Sequence, residues 1–343
     1  MLDTLQTLCT LPGVSGDEGV VRDYILSRIR PHVHSLTVDA LGNVLAQKRG
    51  ANHTENGKTI LLTAHMDEVG FIVTDVTDEG YLKFAAVGGM DRRVIVGKRL
   101  LVGENQLPGV VGIRAHHLVK ASDSAAPPPV NEMYIDIGAA DRAAAEQLVN
   151  LGDTAVFDSL PFLMGGCIAA RALDNRVGCA VLLELLTRPL PIDVQIAFTA
   201  QEEIGARGAA VAAYQLKPDI ALVLEATTAA DLPTVAETKQ ACKLGGGVVV
   251  PFMDRGTVYD RALYQRITQL AERHQVPWQT KRVIAGGTDA SAIQRSRAGV
   301  QVAGLAIAAR NVHTGYPVGN LRDMEYMLAL TRAMLDDLAE GLA

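Results

Sequence analysis

The sequence predicts an α/β fold, a mostly parallel sheet flanked by helices, with a β-rich module inserted into it. Three observations lead there. Apolar runs of strand length recur at 59–65 ("TILLTAH"), 194–200 ("VQIAFTA"), 219–225 ("DIALVLE") and 300–307 ("VQVAGLAI"). Stretches of helical period, such as "NRVGCAVLLELL" (175–186) and "ALYQRITQLAERH" (262–274), lie between and after them. Such alternation builds a sheet covered on both faces, whose strands read as continuous apolar runs. Residues 68–163 differ: their apolar runs are short and broken by Gly, Asp and Pro.

Taken in order, Ser15 and Glu18 have the spacing of a capping box, and Val20, Val21, Tyr24, Ile25 and Ile29 then recur near a helical period, which predicts an amphipathic helix. "HVH" (32–34) leads into "SLTVDALGNVLAQ", a surface hairpin whose histidines are expected to face solvent. After the first buried run, "GFIVTDVTDEGYLKFAAVGG", "KRLLVGEN", "LPGVVGI", "EMYIDIGA" and "DTAVFDS" supply short strands. "DRAAAEQLVNLG" supplies a helical insert and "SDSAAPPPVNE" (122–132) a loop, and His116 and His117 are expected at the surface. The chain thus divides into a discontinuous α/β domain, residues 1–67 and 164–343, and an inserted module, residues 68–163.

With 343 residues and 48% hydrophobic composition, a substantial core is available. The net charge of −6 and the lack of a dense Lys/Arg cluster argue against nucleic acid or an anionic membrane as the main partner, leaving a small or peptide-like ligand. The N-terminal stretch carries acids where a signal peptide has basic residues, and no apolar run reaches the length of a membrane span, so the expected location is cytoplasmic. Cys9, Cys167, Cys179 and Cys242 lie far apart without a CxxC pair, which suits buried, reduced thiols rather than disulfides or a thiolate zinc site.

In an open parallel sheet, ligands bind beyond the carboxyl ends of the strands. Here those ends carry metal-type ligands. "AHMDEVG" puts His65 and Asp67 two apart, on one face of an extended chain, where the carboxylate can orient the imidazole. The second run ends in Glu202 and Glu203, the third in Glu225, and His313 follows the last. Asp174 stands just before a helical pattern, where it can cap the helix and still turn an oxygen to the strand ends. Two imidazoles and several carboxylates suit zinc, cobalt or manganese. A two-metal site needs one bridging carboxylate, and one further acid is then free to accept a proton. The Glu202/Glu203 pair fits this division of labour if the backbone leaves strand geometry there, as Gly205 and Gly208 nearby would permit. The glycines of "AGGTDASAIQ" suggest close approach of a substrate near Gly287, Thr288 and Asp289, whereas "KLGGGVVV" (243–250) lacks the Lys-Ser/Thr ending of a phosphate loop and reads as a tight turn.

The motifs "AHMDEVG", "ALDNRVGC", "QEEIGARG", "LEATTAADLP", "GGGVVVPFMDRGTVYDRALY", "WQTK" and "AGGTDASAIQ", with the late His313, resemble the tetrahedral metallo-aminopeptidases across nearly the whole chain. That family also includes glutamyl aminopeptidases and proteins once labelled cellulase M. The resemblance implies a di-metal exopeptidase type of α/β domain, interrupted by a barrel-like module that supports dimerisation, with dimers assembling into a tetrahedral dodecamer. It further implies that Asp174 bridges two divalent ions, zinc, cobalt or manganese, with His65 and Glu225 on one and Glu203 and His313 on the other. Glu202 becomes the general base and Asp67 the partner of His65, acting on peptide substrates. Two departures stand out: Glu225 occupies a position that is often Asp in relatives, and "HTGYP" follows the late histidine where Ser-Pro is common.

The same ligands would serve a metal-dependent deacylase or carboxypeptidase, or a non-catalytic scaffold that binds metal for folding. An endoglucanase fits less well. A glycosidase separates its carboxylates by about 5–9.5 Å, whereas Glu202 and Glu203 are adjacent, and aromatics for stacking sugars are scarce, 4% with one Trp.

Overall fold

The four long apolar runs become neighbours in one sheet, because strands apolar on both faces are stable only in its interior. The computed structural model describes residues 1–52, 58–119 and 126–342. Helices α1 (Leu2–Thr10) and α2 (Gly19–Ile29) precede strands β1 (Ser35–Val38), β2 (Val44–Lys48) and β3 (Ile60–His65). Then come β4 (Gly70–Val76), β5 (Leu82–Val87), β6 (Arg99–Val102), β7 (Leu107–Gly112), β8 (Tyr134–Asp136), the short α3 (Arg142–Glu146) and β9 (Thr154–Phe157). The chain continues through β10 (Phe162–Met164), β11 (Cys167–Ala169), α4 (Leu173–Leu186), β12 (Val194–Thr199), α5 (Arg207–Leu216), β13 (Ile220–Thr228) and β14 (Val248–Val250). It closes with α6 (Arg261–Arg273), β15 (Trp278–Thr280), α7 (Ala290–Gln294), β16 (Gln301–Arg310), β17 (Val318–Asn320) and α8 (Leu321–Leu342).

The sheet order is β1-β2-β12-β3-β13-β16-β17-β11-β10, with β14 and β15 attached at β16. Strands β12, β3, β13 and β16, the predicted buried runs, lie side by side and parallel. Their carboxyl ends therefore share one edge, with Thr199 opposite His65 and Glu225 opposite Ala306. On one face Leu62, Ile196, Leu224 and Leu305 pack with residues of α1, α2, α4, α6 and α8. On the other, Leu61, Ala197, Val223 and Val302 meet α5 and α7. Each interior strand is thus buried on both sides, which is why its sequence does not alternate.

Strands β4, β5, β8, β7, β6 and β9 close into an antiparallel barrel with a separate core. Phe71 sits at its centre, edge-on to Phe84 and Phe157 at 5.3 and 5.5 Å, the geometry that aromatic quadrupoles favour. β1 and β2 form the expected hairpin, Ser35 opposite Gln47, and His116 and His117 are exposed. Of the 122–132 loop, residues 122–125 lie outside the described residues.

Three local expectations are corrected. Helix α1 was not anticipated; its short apolar face (Leu5, Leu8, Cys9) is buried against the larger core. The Ser15/Glu18 capping box does not form: α2 begins after Glu18 without a side-chain cap, because both side chains bond elsewhere, as described below. Asp174 does not cap a helix either. The Ala172 cap position has no side-chain bond, and Asp174 and Asn175 have non-helical backbone angles. The Asn175 side chain takes that role, its Oδ1 accepting from Gly178 N at 3.1 Å.

Candidate metal centre

His65 is the last residue of β3, and Asp67 follows two residues on, both almost wholly buried. The ring Nδ1 of His65 lies 3.4 Å from Asp67 Oδ1 and 3.1 Å from the Asp67 carbonyl oxygen. A group on Nδ1 fixes the ring and leaves Nε2 as the ligand atom. That Nε2 faces Asp174 Oδ1 at 3.3 Å and Glu225 Oε1 at 3.1 Å. On the other side of Asp174, Oδ2 is 3.8 Å from His313 Nε2, which in turn stands 3.1 Å from Glu203 Oε2. His313 reaches this position from the turn after β16 with left-handed backbone (φ 61°).

The adjacent acids Glu202 and Glu203 both approach His65, with ligand atoms of the three residues within 4.8 Å of one another. The backbone does leave strand geometry before the pair: β12 ends at Thr199, and Gln201 has φ 58°. Gly205 (φ 116°) turns the loop after the pair, as expected. Gly208 serves a different purpose. A Cβ there would lie 2.2 Å from Asn43 Oδ1 and 2.3 Å from the Ala200 carbonyl oxygen, so glycine lets α5 approach the strand end closely.

Crowded carboxylates in a dry site resist ionisation. Burial pushes Glu225 up to about 8 against the pull of His65. Burial likewise raises Glu202 well above the usual carboxylate range, with His65 opposing and Asp289, Glu225 and Glu203 adding to it. Glu203 is raised by burial despite its bond to His313. Burial would lower His313, but the hydrogen bond and charge of Glu203 push it up to about 9. Burial would also lower His65, yet Glu225, Asp174 and Asp67 raise it well above its usual value. Asp67 goes the other way: burial would raise it, but His65, Ser15 and the Glu202 amide hold it low.

Does this donor set fit metal ions? Three groups, His65/Asp174/Glu225, His65/Glu202/Glu203 and Asp174/Glu203/His313, bring their ligand atoms within 4.8 Å. Asp174 Oδ1 is buried and makes no hydrogen bond among the described residues, its imidazole neighbour being His65 at 3.3 Å, a cost that a cation would reduce. The donors are imidazole and carboxylate only. Cys179, whose Sγ donates to the His65 carbonyl oxygen, is a neutral thiol pushed by burial up to about 12. The set therefore fits borderline or hard divalent ions.

The residues expected to border substrate divide. Thr288 lines a cavity beside Glu225, its Oγ1 3.1 Å from the Tyr259 hydroxyl. Gly287 is exposed, and nothing lies within 4 Å of where its Cβ would be. Asp289 is 1% exposed and accepts from Thr199 Oγ1, so it stands behind the acidic pair rather than at an open wall. A second cavity, on the Glu203 and His313 side, is walled partly by Val69 and by Phe157 of the barrel.

Sequence reasoning missed Asn175, whose Nδ2 donates to Glu225 Oε2 at 2.6 Å. It also missed Lys281, which lines the Glu225 cavity from just beyond β15. Ser15 and Glu18 were noticed for the wrong reason. Lys281 ends the motif "WQTK", far along the sequence from the candidate metal ligands, so no spacing singles it out.

A family model described as M42 glutamyl aminopeptidase matches residues 42–330. The glutamyl aminopeptidase of Lactococcus lactis subsp. cremoris is 30% identical over 349 residues, covering 98% of this chain and 96% of that one. An aminopeptidase structure from the archaeon Desulfurococcus kamchatkensis superposes with a TM-score of 0.93 at 29% identity, covering 99% of this chain and 96% of its own. The TET1 peptidase of Pyrococcus horikoshii, described as assembling into a tetrahedron or a large octahedral shell, gives 0.85 at 32% identity, covering 97% and 98%. Matched in sequence and in fold from end to end, the chain belongs to the M42 glutamyl aminopeptidase family and is a hydrolase of peptide bonds.

Proposed function

We propose that the chain removes N-terminal residues from peptides with two divalent cations at the strand ends, one held by His65, Asp174 and Glu225 and the other by Asp174, Glu203 and His313. The observation that carries this reading is the sharing of Asp174, one of whose oxygens faces each imidazole. When bound, such ions polarise the scissile carbonyl and make water a stronger nucleophile near neutral pH. Glu202 lies outside both ligand groups and beside them. It takes a proton from the attacking water and returns it to the departing amine, so the bond is cleaved without a net change in the site's protonation. Asp67 holds the His65 ring while its carboxylate accepts from the amides of Glu202 and Glu203 at 2.9 and 3.1 Å.

Glu202→Gln tests the assignment. The variant should bind metal normally yet lose about 10²–10⁴ in turnover, and near-wild-type turnover in a metal-loaded variant rejects the role. Assayed on an aminoacyl anilide and its N-acetylated analogue, the wild type should cleave only the former, because a deacylase or carboxypeptidase does not need the free amine. Activity lost to a chelator should return with zinc, cobalt or manganese.

An acidic first residue is the preferred substrate in this reading. Lys281 is 8% exposed and lines the cavity beside Glu225. Its Nζ donates to the Ala285 carbonyl oxygen at 2.7 Å, which leaves two of its three donors for a ligand. Asp254, on the same cavity, has its oxygens occupied by the amides of Gly256 and Thr257 and the Tyr259 hydroxyl. A substrate carboxylate would supply the counter-charge.

The finer organisation proposed is an α/β peptidase unit, residues 1–67 and 164–343, with residues 68–163 serving subunit pairing and pairs closing into a tetrahedral dodecamer. The assembly of the Pyrococcus horikoshii relative supports this, as do the exposed apolar side chains Val110, Leu118, Leu148 and Leu151 on the barrel unit. A cytoplasmic location is supported by the four cysteines, all free thiols.

A further inference from the structure

The loop that carries Glu202 and Glu203 is held by the N-terminal segment of the chain. Residues 13–15 run beside Glu68: Glu68 N donates to the Gly13 carbonyl oxygen at 2.9 Å, and Ser15 N to that of Glu68 at 3.3 Å. From there the Ser15 hydroxyl donates to Asp67 Oδ2 at 2.6 Å, a buried contact. Glu18, 3% exposed, turns Oε1 to two amides, Gly16 N at 2.8 Å and Gln201 N at 3.0 Å.

Three consecutive amides, those of Gln201, Glu202 and Glu203, therefore all donate to carboxylates: the first to Glu18, the next two to Asp67. Ser15 fixes the oxygen of Asp67 that receives the third. This is where the backbone takes its left-handed turn at Gln201, a conformation that persists in a non-glycine residue only when its surroundings impose it. The two residues forgo a capping box that would stabilise α2. They reach the base-bearing loop instead, Glu18 directly at the Gln201 amide and Ser15 through Asp67.

We infer that Ser15 and Glu18 are positioning residues for Glu202, setting where its carboxylate stands relative to the attacking water. The inference rests on the assignment of Glu202 as base. Misplacing a reacting group by about 1 Å can cost 10²-fold in rate, and removing one hydrogen bond to a charged group should cost roughly 10-fold. At saturating cation, Ser15→Ala and Glu18→Ala should each lower kcat about tenfold while KM and bound metal stay near wild type; the lost buried hydrogen bond lowers the melting temperature, but the protein stays folded at the assay temperature. Ser15→Thr keeps the hydroxyl and Glu18→Gln keeps the accepting Oε1, so both should recover most of the loss.

The decisive measurement is the double variant. In the Glu202→Gln background, Ser15→Ala should lower the residual kcat no further, because the group it positions is gone. Wild-type kcat in Ser15→Ala and Glu18→Ala overturns the inference, as does a loss that merely tracks metal content or unfolding. An equal tenfold loss in the Glu202→Gln background also overturns it, placing the effect elsewhere while leaving the base assignment intact. High activity of Glu202→Gln itself removes both.

Discussion

At the scale of single residues, the site is decided by which polar groups are satisfied and which are left waiting. Asp254 accepts three hydrogen bonds, whereas Lys281 has one acceptor and no ion pair among the described residues. Burial pulls the Lys281 pKa down, more than Asp254 restores it, which is the condition of a cation short of negative charge. A glutamyl or aspartyl anilide should therefore be cleaved roughly 10–100-fold better than a leucyl one in kcat/KM. Lys281→Met should collapse that ratio, and Lys281→Glu should invert the preference between glutamyl and lysyl anilides. A wild-type enzyme that favours leucine would exclude the acidic pocket without touching the metal-ligand assignment.

At the scale of elements, the ends of β3 and β12, the carboxyl-terminal half of β13, which runs three residues beyond Glu225, and the turn after β16 bring His65, Glu202, Glu203, Glu225 and His313 to one sheet edge. Without cations, bound protons stabilise this edge. Glu225, raised to about 8 from a usual 4.5, binds more protons folded than unfolded, so its contribution to stability falls as pH rises between those values. His313, raised to about 9 from 6.5, contributes stability that is complete below 6.5 and lost as pH rises through 9. Both shifts have the same sign over pH 5–9. Chelation should lower the melting temperature at every pH in that window, and the gap between metal-loaded and metal-free protein should widen as pH rises. A gap that narrows toward pH 9 would show that other groups govern the metal-free state.

At the scale of the whole molecule, two cores meet at the site. The barrel holds its own apolar cluster and lends Phe157 and Val69 to the wall beside Glu203 and His313. Its outer surface keeps Leu118 at 62% and Leu151 at 65% exposed, more apolar surface than barrel closure requires. If this surface pairs subunits, light scattering should return twelve chains per particle, and Leu118→Glu with Leu151→Glu should shift the mass downward. A wild-type monomer would remove the assembly proposal while leaving the site chemistry standing.

Much of the molecule was legible in order of residues alone. Apolar runs without alternation announced buried parallel strands, and the ends of those runs pointed to the candidate ligands and the candidate base, because a parallel sheet delivers its carboxyl ends to one edge. His65, Glu202, Glu203, Glu225 and His313 were found that way. What the sequence could not decide was the allocation of side chains that have two local uses. Ser15, Glu18 and Asp174 all have spacings that suit helix caps, and none makes a side-chain cap bond. Ser15 bonds Asp67, and Glu18 adds to its local Gly16 amide that of Gln201; Asp67 and Gln201 both lie far away along the chain. A capping motif is a local competitor worth about 1 kcal/mol, and only the packed fold could present the buried charge and amides that outbid it.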